Sequence, residues 1–168
     1  FKFIPLAEEM GLIGALGEWG VEEACRQMVE LQALGLELPK VSVNVSALQF
    51  NPAFIGRVSE VLTKTGLRPM RLQLELTEGI MLDDTEATIR ALSHLKDLGV
   101  RLSIDDFGTG YSSLSYLSRF PLDELKIDRS FVIDFDKSEN DASLVIAIIA
   151  MAKSMRLHLV AEGVETHE

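Results

Sequence analysis

Short apolar runs, typical of buried strands, alternate along the chain with longer segments that have helical periodicity. In one helical segment, Ile89, Leu92 and Leu95 recur at three-residue spacing, as expected for a helix with one buried face. Strands separated by helices imply right-handed crossovers and a mainly parallel sheet, so the pattern predicts an α/β fold. The predicted strands are Val41–Val45, Leu72–Leu76, Leu102–Ile104, Glu124–Ile127 and Leu157–Val160. The predicted helices are Ile4–Gly11, Gly17–Leu34, Pro52–Thr65, Thr85–Leu98, Ser112–Ser118 and Asp141–Met155.

Glycines follow three of the predicted helices. Gly35, Gly66 and Gly99 stand where a left-handed residue commonly ends a helix. We therefore expect a positive φ at each of them.

Every predicted strand ends in polar residues that are able to do chemistry. Because the carboxyl ends of parallel strands meet at one edge, five such endings predict a common site rather than incidental carboxylates. The residues are Asn44, with Ser46 two positions on; Glu75, followed by Glu78; Asp105 and Asp106; Lys126 and Asp128; and Glu162, followed by Glu165.

The most informative of these endings is the Asp105–Asp106 pair, which is followed at once by a glycine-rich loop. Two adjacent carboxylates are costly to bury unless a cation or hydrogen-bond donors meet them, so a divalent metal is one interpretation. A solvated turn that caps the strand is the other. The loop around Gly108 and Gly110 is too short for a nucleotide fingerprint and predicts a mobile segment beside the pair.

The oxygen donors at the strand ends favour a hard divalent ion such as Mg²⁺, Mn²⁺ or Ca²⁺. Two such ions held by bridging carboxylates are the usual apparatus for phosphodiester hydrolysis. Lys126 fits this chemistry as a fixed cation or as a residue that positions water, although it also fits a lysine at the rim of a strand. The histidines lie elsewhere in the pattern, so no histidine-based zinc site is predicted.

Composition limits the possible partners. The net charge of −10 argues against a nucleic-acid-binding surface and would repel an anionic substrate unless metals or lysines reversed the local field. The single cysteine, Cys25, excludes an internal disulfide. The longest apolar run, Leu144 to Ala152, is far shorter than the roughly 20 residues that a membrane-spanning helix needs. Since the chain begins at Phe1 and ends directly after a strand-like run, we expect a piece of a longer protein.

Six segments of the chain occur together in one known family: Phe3-Ile-Pro-Leu-Ala-Glu-Glu, Val43-Asn-Val-Ser, Glu75-Leu-Thr-Glu, Asp105-Asp-Phe-Gly-Thr-Gly-Tyr-Ser-Ser-Leu, Leu125-Lys-Ile-Asp and Ala161-Glu-Gly-Val-Glu. With these segments the chain resembles the EAL-domain phosphodiesterases, which hydrolyse the bacterial second messenger cyclic di-GMP. The resemblance covers essentially the whole chain in the family's order and spacing. It implies a modified (βα)8, TIM-like barrel represented by its central portion. Residues 1–168 would then be a single domain that lacks the first strand, with its Glu-Ala-Leu signature, and the last barrel strands.

The resemblance also implies two Mg²⁺ or Mn²⁺ ions in each site, with inhibition by Ca²⁺. One ion would be bound by Asn44, Glu75 and Asp105, and the second by Asp105 and Asp106, with Glu162 as a further metal-linked carboxylate. These are expectations carried over by matching position.

The remaining matched residues have other implied roles. Lys126 would assist the attacking water, with Asp105 and Glu162 as its partners in catalysis. Asp128 and Glu165 would lie near the substrate. Glu78 would anchor the loop after Asp106, which in the family couples dimerisation to the active site.

The implied activity is hydrolysis of one 3′–5′ bond of cyclic di-GMP to linear pGpG, although the isolated segment is expected to be incomplete as an enzyme. The alternative is a catalytically inactive receptor for cyclic di-GMP or a protein-docking module of the same fold. The filled strand-end positions favour the enzyme. We further expect a cytoplasmic homodimer, formed through the loop after Asp106 and neighbouring helices. A sensor or GGDEF domain and a membrane tether are expected only outside this segment.

Overall fold

A five-stranded parallel sheet forms the centre of the computed structural model, which describes residues 3–82, 86–108, 117–133 and 139–164. The strands lie side by side in chain order, and each neighbouring pair is parallel. A doubly wound sheet reverses its strand order at a switch point, whereas sequential order is that of a βα barrel. The predicted α/β, barrel-type fold is therefore confirmed. The strands are β1 (Val41–Val45), β2 (Leu72–Thr77), β3 (Arg101–Phe107), β4 (Glu124–Ile127) and β5 (His158–Ala161).

Helices precede and connect these strands. In α3, the Asn51 side chain accepts a hydrogen bond from the Phe54 amide, Pro52 takes the first turn, and the helix stops at Gly66. Within the described residues, no helix is both long and apolar enough to cross a lipid bilayer. The helices in the described part of the chain are α1 (Phe3–Glu9), α2 (Ile13–Ala33), α3 (Pro52–Thr65), α4 (Glu86–Asp97), α5 (Arg129–Ile133) and α6 (Glu139–Ser154). The described connections also contain three short 3-10 segments, Ala47–Gln49, Pro69–Arg71 and Glu78–Leu82.

Most of the predicted elements are present, with differences at their ends. The bounds of β1, α3 and β4 are as predicted, and Gly35, Gly66 and Gly99 have φ values of 84°, 71° and 92° as expected. The prediction was wrong for β3, which continues beyond Ile104 to Phe107 and so includes both aspartates. It was also wrong for α2, which begins four residues before Gly17, and it missed α5. The predicted helix Ser112–Ser118 lies outside the described residues except for its last two positions.

The two faces of the sheet differ in chemistry because side chains alternate along a strand. In β2, Leu72, Leu74 and Leu76 are fully buried in the core formed with the helices. Gln73 and Glu75 alternate with these leucines and lie on the opposite face, where they are also buried. β2 is therefore buried on both faces over most of its length.

A polar cluster on this second face shows that the sheet is curled. Lys40, directly before β1, lies 2.7 Å from Glu124 at the start of β4 and 2.7 Å from the side-chain oxygen of Gln73. Gln73 in turn donates to Glu124 at 2.6 Å. In a flat sheet, β1 and β4 would be roughly 14 Å apart. The contact between their amino ends therefore requires the curvature of a barrel wall, with the polar face on the concave side.

We expect Leu74→Ala to lower the free energy of unfolding by about 2–5 kcal/mol, because it leaves a cavity between the sheet and the helices. The matched control is Leu34→Ala, since Leu34 is 78% exposed. Its effect should stay within about 0.5 kcal/mol. Urea unfolding followed by circular dichroism measures both values, and equal losses in the two variants would contradict the assigned core.

Candidate functional site

A buried lysine lies at the centre of the carboxyl ends of the strands. The ammonium nitrogen of Lys126, in β4, is 2.8 Å from Glu75 in β2, 2.9 Å from Asp105 in β3 and 2.6 Å from Glu162 after β5. The side chains of Lys126, Glu75 and Asp105 are only 10–13% exposed, while that of Glu162 is 34% exposed. Lys126 thus connects three strand ends, in contrast to the solvated rim lysine considered as an alternative.

The environment of Lys126 keeps it charged. Burial alone would lower the pKa of its ammonium group. Hydrogen bonds to Asp105, Glu162 and Glu75 outweigh burial, however, and hold the pKa above its ordinary value. Within this ion cluster Lys126 is therefore a charged hydrogen-bond donor, which favours a positioning role over that of a general base.

A β-bulge places the two adjacent aspartates at one site. Between Ile104 and Phe107, β3 uses three residue steps where β4 uses two, so one residue of β3 is extra. Asp106 has a φ of 53°, in the left-handed region. Successive residues of a regular strand point to opposite faces, but here one carboxylate oxygen each of Asp105, Asp106 and Glu162 lie within 4.8 Å of one another. The bulge is the local feature that allows this.

The cluster carries more negative than positive charge. Burial, the neighbouring charge of Asp105 and a hydrogen bond with Asp128 raise the pKa of Asp106 above its ordinary value. Such a shift is the expected consequence of carboxylates held close together. The donor atoms are all hard carboxylate oxygens within 4.8 Å of one another, so this group fits a hard divalent cation.

Two further predicted residues lie beside the cluster. Asn44 pairs with Glu75 in the register of β1 and β2, and its side chain is exposed. Asp128 follows β4 and accepts a hydrogen bond from the Ser130 amide at 2.9 Å. Hydrogen bonds from Ser130 lower the pKa of Asp128. Glu165 lies outside the described residues, so its predicted place near the substrate stays a prediction.

Glu78 contacts the start of the glycine-rich loop. It is 9% exposed, and its carboxylate accepts a hydrogen bond from the Gly108 amide at 3.3 Å. Gly108 has a φ of 101°, and a Cβ there would lie 2.8 Å from the ring of Phe131 in α5. The loop therefore begins between Glu78 and α5. Its continuation, residues 109–116, lies outside the described residues.

Sequence reasoning missed the contribution of α5 to this region. Besides the contact of Phe131 with Gly108, Arg129 lies so close to Gly163 that a Cβ on that glycine would be 2.7 Å from the Cβ of Arg129. Both loops that follow Asp105 and Glu162 thus pack on α5. Asp128 before Arg129 is a helix-capping signal that could have indicated this helix, although five residues are too few for a periodic pattern.

Comparisons with known proteins agree on one family. The family model described as "EAL domain" matches residues 1–168. The chain is 47% identical, over 98% of its length, to the bifunctional diguanylate cyclase/cyclic di-GMP phosphodiesterase MucR and to the cyclic di-GMP phosphodiesterase NbdA, both of Pseudomonas aeruginosa. It spans 24% of MucR and 21% of NbdA, about a quarter or less of either protein.

Solved structures show the same fold. The PaMucR phosphodiesterase in complex with c-di-GMP superposes with a TM-score of 0.93 at 46% identity, covering 99% of this chain and 68% of that chain. Klebsiella pneumoniae BlrP1, solved with cyclic di-GMP and calcium and with cyclic di-GMP and manganese, gives a TM-score of 0.75 at 30% identity. That match covers 88% of this chain and 38% of BlrP1.

We expect Lys126→Met to destabilise the metal-free protein by about 3 kcal/mol, because it leaves buried carboxylates without their cation. Mn²⁺ should raise the melting temperature of this variant more than that of the wild type, since the ion replaces the missing charge. Differential scanning calorimetry with EDTA and with MnCl₂ measures both effects. Lys153→Met is the control, since Lys153 is exposed on α6. The same Mn²⁺ response in both variants would contradict the charge argument.

Proposed function

Because the chain belongs to the EAL-domain family, we propose that it forms part of a metal-dependent phosphodiesterase that cleaves cyclic di-GMP to linear pGpG. The observation that supports this proposal most strongly is the group of Asp105, Asp106 and Glu162, whose carboxylates converge beside the buried Lys126. A catalytic site of this kind needs both clustered oxygen ligands and a fixed positive charge. The proposed substrate, cyclic di-GMP, is taken from the relatives that are named as cyclic di-GMP phosphodiesterases.

The residues proposed to hold two divalent ions are those at the strand ends. When bound, the ions supply Lewis-acid activation and neutralise negative charge on the phosphodiester. Mg²⁺ and Mn²⁺ are proposed because both accept carboxylate and amide oxygens. The proposed ligands are Asn44, Glu75, Asp105, Asp106 and Glu162.

The protonated Lys126 has a separate part in this proposal. It donates hydrogen bonds to Asp105 and Glu162, which fixes the orientation of both carboxylates. A lysine that keeps its proton can also orient a water oxygen, but it cannot take up the proton of that water. We assign the proton to one of the neighbouring carboxylates, Asp105 or Glu162, and place Asp128 and Glu165 at the substrate.

We propose that dimer formation changes the position of the glycine-rich loop after Asp106. The Gly108 amide, two residues beyond Asp106, is bound by Glu78 and packs on Phe131. A change in the position of this loop would act directly on a candidate metal ligand, as loops often gate active sites. We propose that the dimer surface includes this loop and the helices beside it.

We expect the full-length protein to convert cyclic di-GMP to pGpG with Mg²⁺ or Mn²⁺ and to lose this activity with EDTA. Asp105→Asn should lower kcat by about 100-fold or more, because the amide neither bridges cations nor accepts a proton. Asp97→Asn, an exposed position on α4, is the control and should match the wild type. Product analysis by liquid chromatography measures the rates. Tight binding of cyclic di-GMP without turnover would contradict the proposed enzyme and favour the inactive receptor.

We expect Glu78→Ala to lower activity roughly tenfold and to weaken the dimer. A hydrogen bond to a charged group is worth about 1.5 kcal/mol or more, which corresponds to about that factor in rate. Glu78→Gln retains an acceptor oxygen and should keep most of the activity. Initial rates and sedimentation equilibrium test this, with Glu37→Ala at an exposed position as the control. Unchanged activity and dimer strength in Glu78→Ala would remove the proposed coupling.

A further inference from the structure

The N-terminal helices contact the connection that directly follows Asn44. The Ser46 hydroxyl donates a hydrogen bond to Glu8 in α1 at 2.6 Å, and it accepts one from the Leu48 amide at 3.3 Å. Ser46 thereby caps the 3-10 turn Ala47–Gln49. Glu8 and Ser46 belong to two of the six segments that resemble the EAL family, and the proposed chemistry gives neither of them a role.

A second contact from α2 supports the same connection. The Gln49 side chain is 3% exposed and packs directly on Gly17. A Cβ at position 17 would lie 2.1 Å from the Gln49 amide nitrogen, so the Gln49 side chain occupies the space that glycine leaves open. The turn after β1 is therefore held from two helices.

Contacts from outside the sheet support the end of β1. In the described sheet, β1 pairs with β2 on one side. Asn44 is exposed, so packing does not fix its amide. Val45 is buried and pairs with Leu76 of β2, and Ser46, two residues after Asn44, adds a hydrogen bond to α1. A hydrogen bond from a hydroxyl to a carboxylate is among the stronger ones, and at 2.6 Å it has the short distance typical of that class.

We propose that Glu8 is a positioning residue, which acts through Ser46 to fix the end of β1 and the Asn44 amide in place for a divalent ion. The inference rests on the proposed function, which makes Asn44 a metal ligand. Residues that orient metal ligands commonly change metal affinity by roughly 10–100-fold when they are replaced. Glu8 would thus tune metal affinity without touching the ion or the substrate.

The test measures Mn²⁺ affinity of the full-length protein by isothermal titration calorimetry in the absence of substrate. Glu8→Ala and Ser46→Ala should each weaken Mn²⁺ binding roughly tenfold. Glu8→Gln should stay within about twofold of the wild type, since its side-chain oxygen still accepts the hydrogen bond. Glu9→Ala, the exposed neighbour on the same helix, is the control and should have no effect. Should Glu8→Ala fail to fold, Ser46→Ala, which removes a single hydroxyl group, carries the same expectation.

Measurements in an Asn44→Ala variant separate a positioning effect of Glu8 from a general effect on stability. If Glu8 acts through Asn44, then Glu8→Ala added to Asn44→Ala should change Mn²⁺ affinity by less than about twofold, because the two changes remove one interaction. A full tenfold loss in that background, or equal affinities for Glu8→Ala and Glu9→Ala, overturns the inference. A wild type that binds no Mn²⁺ overturns the proposed function together with it. A wild type that binds Mn²⁺ and cleaves cyclic di-GMP while Glu8→Ala retains full affinity overturns the inference alone.

Discussion

The arrangement of the site depends on the ion cluster around Lys126. One ammonium group contacts carboxylates from β2, from β3 and from the end of β5, so it draws together strand ends that are not neighbours. Charges buried in this way stabilise a fold only when each has a partner with good geometry, because removal from water costs several kcal/mol per ion. The curled sheet supplies that geometry, and the cluster in turn requires the curl. The curvature of the sheet and the ion pairs of the site therefore depend on each other.

In the proposed function, the same cluster would allow an acidic protein to accept an anionic substrate. With a net charge of −10, the chain as a whole repels phosphates, and Lys126 offsets only part of the charge of its neighbours. Burial is the largest cause of the raised pKa of Asp106, and repulsion from the charge of Asp105 is the next. Divalent ions at these carboxylates would reverse the local field. In the proposed function, metals are thus needed for the approach of the substrate as well as for its cleavage.

Much of the fold followed from the sequence, since it depends on patterns that span many residues. The apolar runs predicted all five strands, and the glycine positions predicted three helix ends, because only a residue that tolerates positive φ fits there. The polar endings predicted which residues approach one another, and the cluster around Lys126 agrees with that expectation. The bulge at Asp106 could not be predicted, because it is one extra residue whose position depends on the register with β4. Nor could α5, since a five-residue helix is stabilised by its cap and its packing rather than by a repeating pattern.

Contacts made by the connections, only some of which were predicted, support the candidate ligands. A parallel sheet brings strand ends to one edge, but metal and substrate chemistry depends on positions to about 0.5 Å. In this chain, contacts outside the sheet also support the strand ends. Gly108 is held by Glu78 and packs on Phe131, and the turn after Asn44 is held from α1 and α2. Because such contacts belong to connections rather than to strands, they can change without disturbing the core. In the proposed function, changes in these contacts would alter metal affinity while the carboxylates stay the same.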